Sequence, residues 1–261
     1  MTTLSVHLVV ALAVLCAIAV VVAALSRLGT ARADGLAVAR AVVQLALVSL
    51  VLTAVLGRVV WSLAFAVVML GVAVGTSARR IGAGRSWPWV LVTVSAGVVP
   101  VLVVIFASGA VPWDGAAIVP MAGIVVGGGM TASSLNGRRC FAALREEHDT
   151  YEGALALGLP VPVAIRLVIA RHRAESLVPG LDQTRTVGLV TLPGAFVGVL
   201  LGGGSPAQAG AAQVLVLVGL LAAQTVVVVV QSLLIERGRL VPEDLRQATR
   251  AQVRLSRDAG D

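Results

Sequence analysis

Long apolar runs broken by short polar stretches set the pattern of this chain. Seven runs approach the roughly 20 apolar residues that a membrane-crossing helix needs: 4–25, 36–57, 59–78, 89–108, 117–137, 186–203 and 210–234. Each is predicted as a span, which makes the fold all-α and polytopic. The first run is read as an uncleaved span. Ala31-Arg32-Ala33 resembles a cleavage site, but no basic residue precedes the run, and the run is too long for a signal-peptide core. Between runs five and six the pattern changes. Phe141, Leu144, His148, Tyr151 and Leu155 recur at steps of three and four, one face of a helix, with Arg145, Glu146, Asp149 and Glu152 between them. Gly158-Leu159-Pro160-Val161-Pro162 stops that helix. A second helix runs from about 162 to 177, with Pro162 in its first turn, and Pro179-Gly180 ends it. Segment 138–185 is therefore predicted as a projecting helical hairpin, whose first arm, residues 140–155, reaches roughly 20 Å from the membrane. Residues 1–235 form the transmembrane domain and 236–261 a short basic tail.

Composition supports the membrane reading. The chain is 58% hydrophobic and 13% charged, against about 45–50% and about 25% in globular domains. All 20 basic residues are arginine. They fall between the apolar runs and not on one soluble face, so the pI near 11.3 reflects membrane topology and not nucleic-acid binding. Segments 26–35, 79–88, 138–185 and 235–261 hold 2, 3, 7 and 6 of them. Arginine excess marks the cytoplasmic side, which places the N-terminus outside, the C-terminus inside, and most of the soluble mass in the cytoplasm of a multi-pass plasma-membrane protein. Cys16 and Cys140 belong to different environments, and no disulfide is expected between them.

The absences are informative. None of the seven runs contains Asp or Glu, although ion-coupled transporters usually carry an intramembrane carboxylate. A phosphate-binding loop ends in Gly-Lys-Ser/Thr, and a chain without lysine has none. Gly127-Gly128-Gly129 lies inside a span and reads as a site of close helix contact or a local break. The chain is not read as an enzyme: it has no HExxH, no GxSxG and only three dispersed histidines. If ATP drives it, ATP and Mg sit on another polypeptide, and this chain binds no cofactor itself.

Glu152-Gly153-Ala154-Leu155-Ala156-Leu157-Gly158 resembles the E-A-A-x-x-x-G signature of ABC-transporter permeases, with Gly153 in the second position. In such permeases this element is a coupling helix that inserts into a cleft on the ATPase subunit. The resemblance assigns ATPase coupling to Glu152, Ala154 and Gly158. A closer resemblance covers residues 36 to 231. Ala39-Arg40-Ala41-Val42-Val43-Gln44-Leu45 is similar to the R-x-x-x-Q-L segment of FetB-type metal-export permeases, a family that includes the permease partner in plant aluminium tolerance. Val119-Pro120-Met121-Ala122-Gly123-Ile124 resembles its I-P-M-A-G-M segment. The run from Pro179 through Asp182, Thr186 and Gly188 to Pro193-Gly194 resembles its P-x-x-D-x-x-K/R-T-V-G-L-V-x-L-P-G signature, and Gln213 falls where the family has a glutamine. Where the family often has Gly-Asn-Ala-Met, this chain has Gly127-Gly128-Gly129-Met130.

The resemblance implies a permease homodimer beneath which two ABC ATPase subunits sit, exporting a metal ion, iron foremost. Arg40, Gln44, Pro120, Met121, Gly127, Met130, Asp182, Thr186, Gly188, Pro193, Gly194 and Gln213 are the candidates for the pathway or for bundle pairing. Each has a plainer reading. Arg40 can snorkel to headgroups, Met121 and Met130 are ordinary core filler, and Pro193-Gly194, read as a helix break in the sixth run that points to a transport pathway, can also be a kink serving packing. Gln44, Gln224 and Gln231 are expected to hydrogen-bond other helices. A metal held here would meet only backbone carbonyls near Pro193-Gly194 and the span-five glycines. Two other readings stay open from the residues: a secondary transporter or channel without an ATPase, and a membrane scaffold that recruits a cytoplasmic protein.

Overall fold

The computed structural model describes residues 6–242 and 245. Its helices are α1 (Val6–Leu25), α2 (Ala31–Val55), α3 (Val59–Arg80), α4 (Trp87–Ala107), α5 (Gly115–Glu146), α6 (His148–Ala156), α7 (Val161–Glu175), α8 (Val178–Thr186), α9 (Gly194–Leu201) and α10 (Pro206–Glu236). The described residues form no strand. Six helices, α1 to α5 and α10, are long and apolar enough to cross a membrane. The protein is an all-α, multi-pass membrane protein.

The chain forms two compact units, residues 1–57 and 58–261. In the first, α1 packs against α2. Their turn places Arg27 at φ 51° and Gly29 at φ 75°, and Leu28 N–H closes back on the Ala23 carbonyl at 3.1 Å. Helix α2 starts at Ala31, five residues earlier than predicted, with Asp34 in its first turn. Arg40 therefore lies about two and a half turns into the helix, and not one.

In the second unit α5 packs against α3, α4 and α10, and α10 also packs against α4. The interior is rich in valine: Val90, Val94, Val98 and Val125 are at most 1% exposed. Small residues let the helices approach closely. A Cβ on Gly97 would meet the Ala223 carbonyl and lie 2.6 Å from Val227 Cγ2, and one on Gly137 would lie 2.8 Å from Ile81 Cγ2. A buried polar chain ties three helices together. Ser77 Oγ donates to Ser133 Oγ at 2.9 Å, Gln231 Nε2 donates to the same oxygen at 3.1 Å, and Asn136 Nδ2 donates to Gln231 Oε1 at 2.9 Å. All four residues are fully buried, and Gln231 finds the interhelical partners expected of it.

Three features differ from the sequence reading. The sixth predicted span, 186–203, is not one helix. Helix α8 ends at Thr186, Gly188 takes φ 81°, and Gly188 N–H bonds the Thr191 carbonyl at 2.9 Å. The chain then reaches Pro193, which starts α9. A left-handed glycine followed by a residue without an N–H ends helical propagation. At 8 residues, α9 spans about 12 Å and cannot cross a bilayer.

The hairpin does not project as a straight 140–155 arm. Helix α5 continues to Glu146 with Cys140 and Phe141 buried, and the helix breaks at Glu147, whose φ and ψ are −104° and 35°. Helix α7 folds back on α5 and α10, burying Ala164, Val168 and Ile169. Apolar residues on both hairpin arms make packing against the bundle favourable. Pro179-Gly180 opens α8 instead of closing α7, because proline fits a first helical turn.

The tail boundary also shifts. Glu236 is still helical, and Gly238 at φ 64° reverses the chain. Leu240 is fully buried, Ser86 Oγ donates to the Val241 carbonyl at 3.1 Å, and the Arg239 guanidinium stacks 5.0 Å over Trp89. Most of the predicted basic tail lies outside the described residues.

Candidate functional site

Helices α5, α8, α9 and α10 line an open cavity of about 590 Å³. Pro120, Met121, Pro193, Gly194 and Gln213, five of the predicted pathway residues, line it together. The rest of the wall is mostly aliphatic, with Gln183 adding a second amide. Pro120 has no N–H to give the Ala116 carbonyl, so the α5 wall carries a backbone acceptor outside the helix ladder. Gln213 is 4% exposed, and its Oε1 accepts from Phe196 N–H at 3.2 Å. It thereby caps the first turn of α9, whose opening N–H groups have no helical partner.

The wall formed by α8 and α9 is attached at two levels of α10. A Cβ on Gly180 would overlap Gln224 Oε1, and Gln213 holds Phe196. Those two glutamines are about 16 Å apart along the helix, both within its apolar length. The non-helical stretch 187–193 thus falls between them, at a depth where irregular backbone is tolerated only against protein or a water-filled path. Leu189 and Val190 are 90% and 78% exposed within the chain. Gly128, at the position of the family asparagine, packs against Leu220, and a Cβ there would overlap Leu220 Cδ1 and approach Gln224 Nε2 to 3.4 Å.

The other predicted residues lie elsewhere. Arg40 and Gln44 are exposed on α2, in the other unit. Met130 packs against the main core, and Met121 both touches that core and lines the cavity. Gly127 is half-buried with open space at its Cβ position. Asp182 pairs with Arg185 at 3.7 Å on the exposed side of α8, and Thr186 Oγ1 donates to the Asp182 carbonyl at 2.8 Å. Among the described residues no three His, Cys, Asp or Glu side chains come together as a metal site.

The hairpin tip has its own geometry. Helix α6 ends in a reversal in which Leu159 N–H bonds the Ala154 carbonyl at 3.1 Å and Gly158 N–H bonds the Leu155 carbonyl at 2.9 Å. Gly158 occupies the left-handed position at φ 82°, where side-chain-bearing residues are strained. This is a physical reason for the last glycine of the signature. Ala154 is buried, Leu157 is 83% exposed and Val161 is 49% exposed. Glu152 pairs with His148 at 3.0 Å. Gly153 is exposed with open space around it, so the departure from alanine removes no contact.

Ion pairs fix the hairpin to the bundle, and the sequence reading did not identify them. Glu147 Oε1 accepts from Arg171 Nη2 at 2.6 Å and meets His172 Nε2 at 2.9 Å. The hydrogen bond from His172, reinforced by Arg171, holds the Glu147 carboxyl below its usual range despite some desolvation. At the end of α10, Glu236 is 2% exposed and receives Arg166 Nε and Nη2 at 3.0 and 2.9 Å and Arg173 Nη1 at 3.4 Å. The only sequence signal was the i, i+7 spacing of two arginines on α7.

Comparison with known proteins agrees with the resemblance read from the motifs. Residues 6–239 match the model of an uncharacterised protein family, UPF0014. The rice UPF0014 membrane protein STAR2 is 31% identical over 215 residues, covering 80% of this chain and 75% of that one. Protein ALUMINUM SENSITIVE 3 of Arabidopsis thaliana is 29% identical, covering 72% and 70%. The probable iron export permease protein FetB of Escherichia coli K12 is 30% identical over 128 residues, covering 49% of each chain. No solved structure matches the chain. With an apolar helical bundle, the signature cavity and a match over nearly its whole length, the chain belongs to the UPF0014 family of membrane proteins.

Proposed function

We propose that the protein is the transmembrane permease subunit of an ABC exporter, working as a homodimer with a separate ATPase on its arginine-rich, cytoplasmic face in the plasma membrane. The observation that carries this reading is the α6–α7 tip. It presents exposed apolar side chains, Leu157 and Val161, at a turn fixed by Gly158, on a chain that has no lysine for a phosphate loop of its own. Nucleotide binding closes the ATPases, and the hairpins carry that movement into the bundle. A second copy covers the irregular stretch 187–193 and completes the pathway that begins at the α5–α8–α9–α10 cavity.

The name of the Escherichia coli relative makes iron the first cargo to test. The cavity offers amide and carbonyl oxygens and no carboxylate, imidazole or thiolate. Hard and borderline cations favour charged oxygen or imidazole ligands, so such a wall holds a metal weakly or passes it as a complex, which suits release. In cells under iron excess, deletion raises iron content and lowers tolerance. Glu152→Arg and Gly158→Trp leave the protein inserted and abolish the protection. Unchanged iron content on deletion removes iron as cargo, and full protection by both variants removes the hairpin as coupling element.

A further inference from the structure

Helix α10 packs against α7 of the hairpin and against α8 and α9 of the cavity wall. Its contacts with these parts are spread along its length: the Glu236 ion pairs at one end, the close approach of Gln224 in the middle and the Gln213 hydrogen bond towards the other end. Glu236 meets α7, the return arm of the hairpin, through Arg166 and Arg173. Gln224 lies against Gly180 of α8 with no room for even a methyl group between them. Gln213 caps α9 through Phe196 N–H. Helices α8 and α9, with the 187–193 stretch between them, form one wall of the cavity.

We propose that α10 is the rod that carries hairpin movement to the cavity wall, and that Glu236 is the positioning residue through which α7 grips it. The inference rests on the permease reading for its purpose and on the structure for its parts. Glu236 is 2% exposed whereas the Arg166 and Arg173 side chains are 54% and 39% exposed. Only the carboxylate is committed to the interior, and the arginines keep access to water. A buried carboxylate held by two cations from one neighbouring helix resists sliding between the two helices, because any displacement leaves the charge desolvated and unpaired. Apolar contacts of α7 alone, through Ala164, Val168 and Ile169, allow such sliding more readily, since they are non-directional. A lever that pulls in one direction needs the directional contact.

The alternative is that the three charges only add to packing. Glu236→Gln separates the two readings, because the neutral isostere leaves no buried charge and frees both arginines to water. Spin labels at Leu167→Cys, on the exposed side of α7, and Val214→Cys, on the exposed face of α10, report the distance across the joint, in a background with Cys16→Ala and Cys140→Ala. In the permease alone in lipid vesicles, the parent shows one narrow distance distribution. Glu236→Gln broadens it, and so does the triple variant Arg166→Gln, Arg173→Gln, Glu236→Gln. In the complex with its ATPase, addition of a non-hydrolysable ATP analogue leaves the parent distance unchanged, because hairpin and α10 move as one body, and shifts it in Glu236→Gln. The same variant lowers transport per ATP hydrolysed by about tenfold, within the range of coupling between linked sites, with radiolabelled iron as the probe. Unaltered narrow distributions in both variants overturn the joint, whether or not an ATPase is present. A nucleotide-driven change of the parent distance overturns the rod. If no ATPase assembles with the native chain, the permease reading falls, and the measurement on the permease alone still decides the joint.

Discussion

The two ends of α10 are held in contrasting ways. At the arginine-rich end, Gln231 and Glu236 are buried and each meets side chains from another helix: Ser133 and Asn136 of α5 for Gln231, Arg166 and Arg173 of α7 for Glu236. At the cavity end, α8 and α9 pack on α10 but bury no residue fully, and the directional tie among the described residues is the Gln213–Phe196 hydrogen bond. Directional polar contacts in a dry interior specify one arrangement. A wall that buries no residue fully and has little directional holding opens at low free-energy cost. The contrast fits a machine in which force enters at the rigid end and the passage lies at the loose end.

The largest expected effect breaks the rigid end. Gln231→Leu strands the Asn136 side-chain N–H and removes one of the two donors to Ser133 Oγ, and a buried polar group without a partner costs about 1–3 kcal/mol. Gln213→Leu removes one bond beside a cavity, and should cost under about 1 kcal/mol. Thermal unfolding of both variants in the same detergent checks the order. Equal losses would erase the distinction between the ends.

A middle-sized effect sharpens the comparison at Gly128. Gly128→Asn drives a side chain into Leu220, and overpacking costs about 1–3 kcal/mol. Leu220 lies at the cavity, so Leu220→Ala in the same chain should recover most of the loss. A Gly128→Asn variant as stable as the parent would show that this wall yields without repacking.

The smallest effect concerns the hairpin root. Because its partners hold Glu147 below the ordinary 4.5, its stabilising contribution is present above about pH 4.5 and is lost as pH falls through the lowered value. The contribution of an exposed pair of this kind is at most about 1 kcal/mol. Glu147→Gln should lower stability slightly at pH 7 and progressively less as pH falls below 4.5, as read by melting across a pH series. A loss that persists undiminished at pH 3 would assign the effect to packing.

Much of this was legible in the sequence, for a physical reason. Apolar length alone identifies a spanning helix, so α1 to α5 and α10 followed from hydropathy. The sixth run misled because Leu, Val and Gly look the same to a hydropathy average whether helical or not. The interruption depends on Gly188 and Pro193 acting together. The five cavity residues came from the family resemblance, Pro120 and Met121 from one segment, Pro193 and Gly194 from the signature across the break, and Gln213 from the last span. Gln183 and the Arg166–Glu236–Arg173 cluster were not legible, because nothing in a linear pattern says which face of α7 returns to α10. The straight hairpin arm failed at Glu147, where His172 and Arg171, about 25 residues on, make a break favourable.

The central claim, that the α6–α7 tip docks on a separate ATPase, is tested most directly by photo-cross-linking from position 157 in native membranes. Leu157 is replaced by a photoreactive amino acid, and the adduct is identified by mass spectrometry. The account predicts a cross-link to a chain that contains a phosphate-binding loop and no apolar span, lost on ATPase deletion and reduced in Gly158→Trp. An adduct with lipid or with this chain alone, in membranes that contain the ATPase, would contradict it.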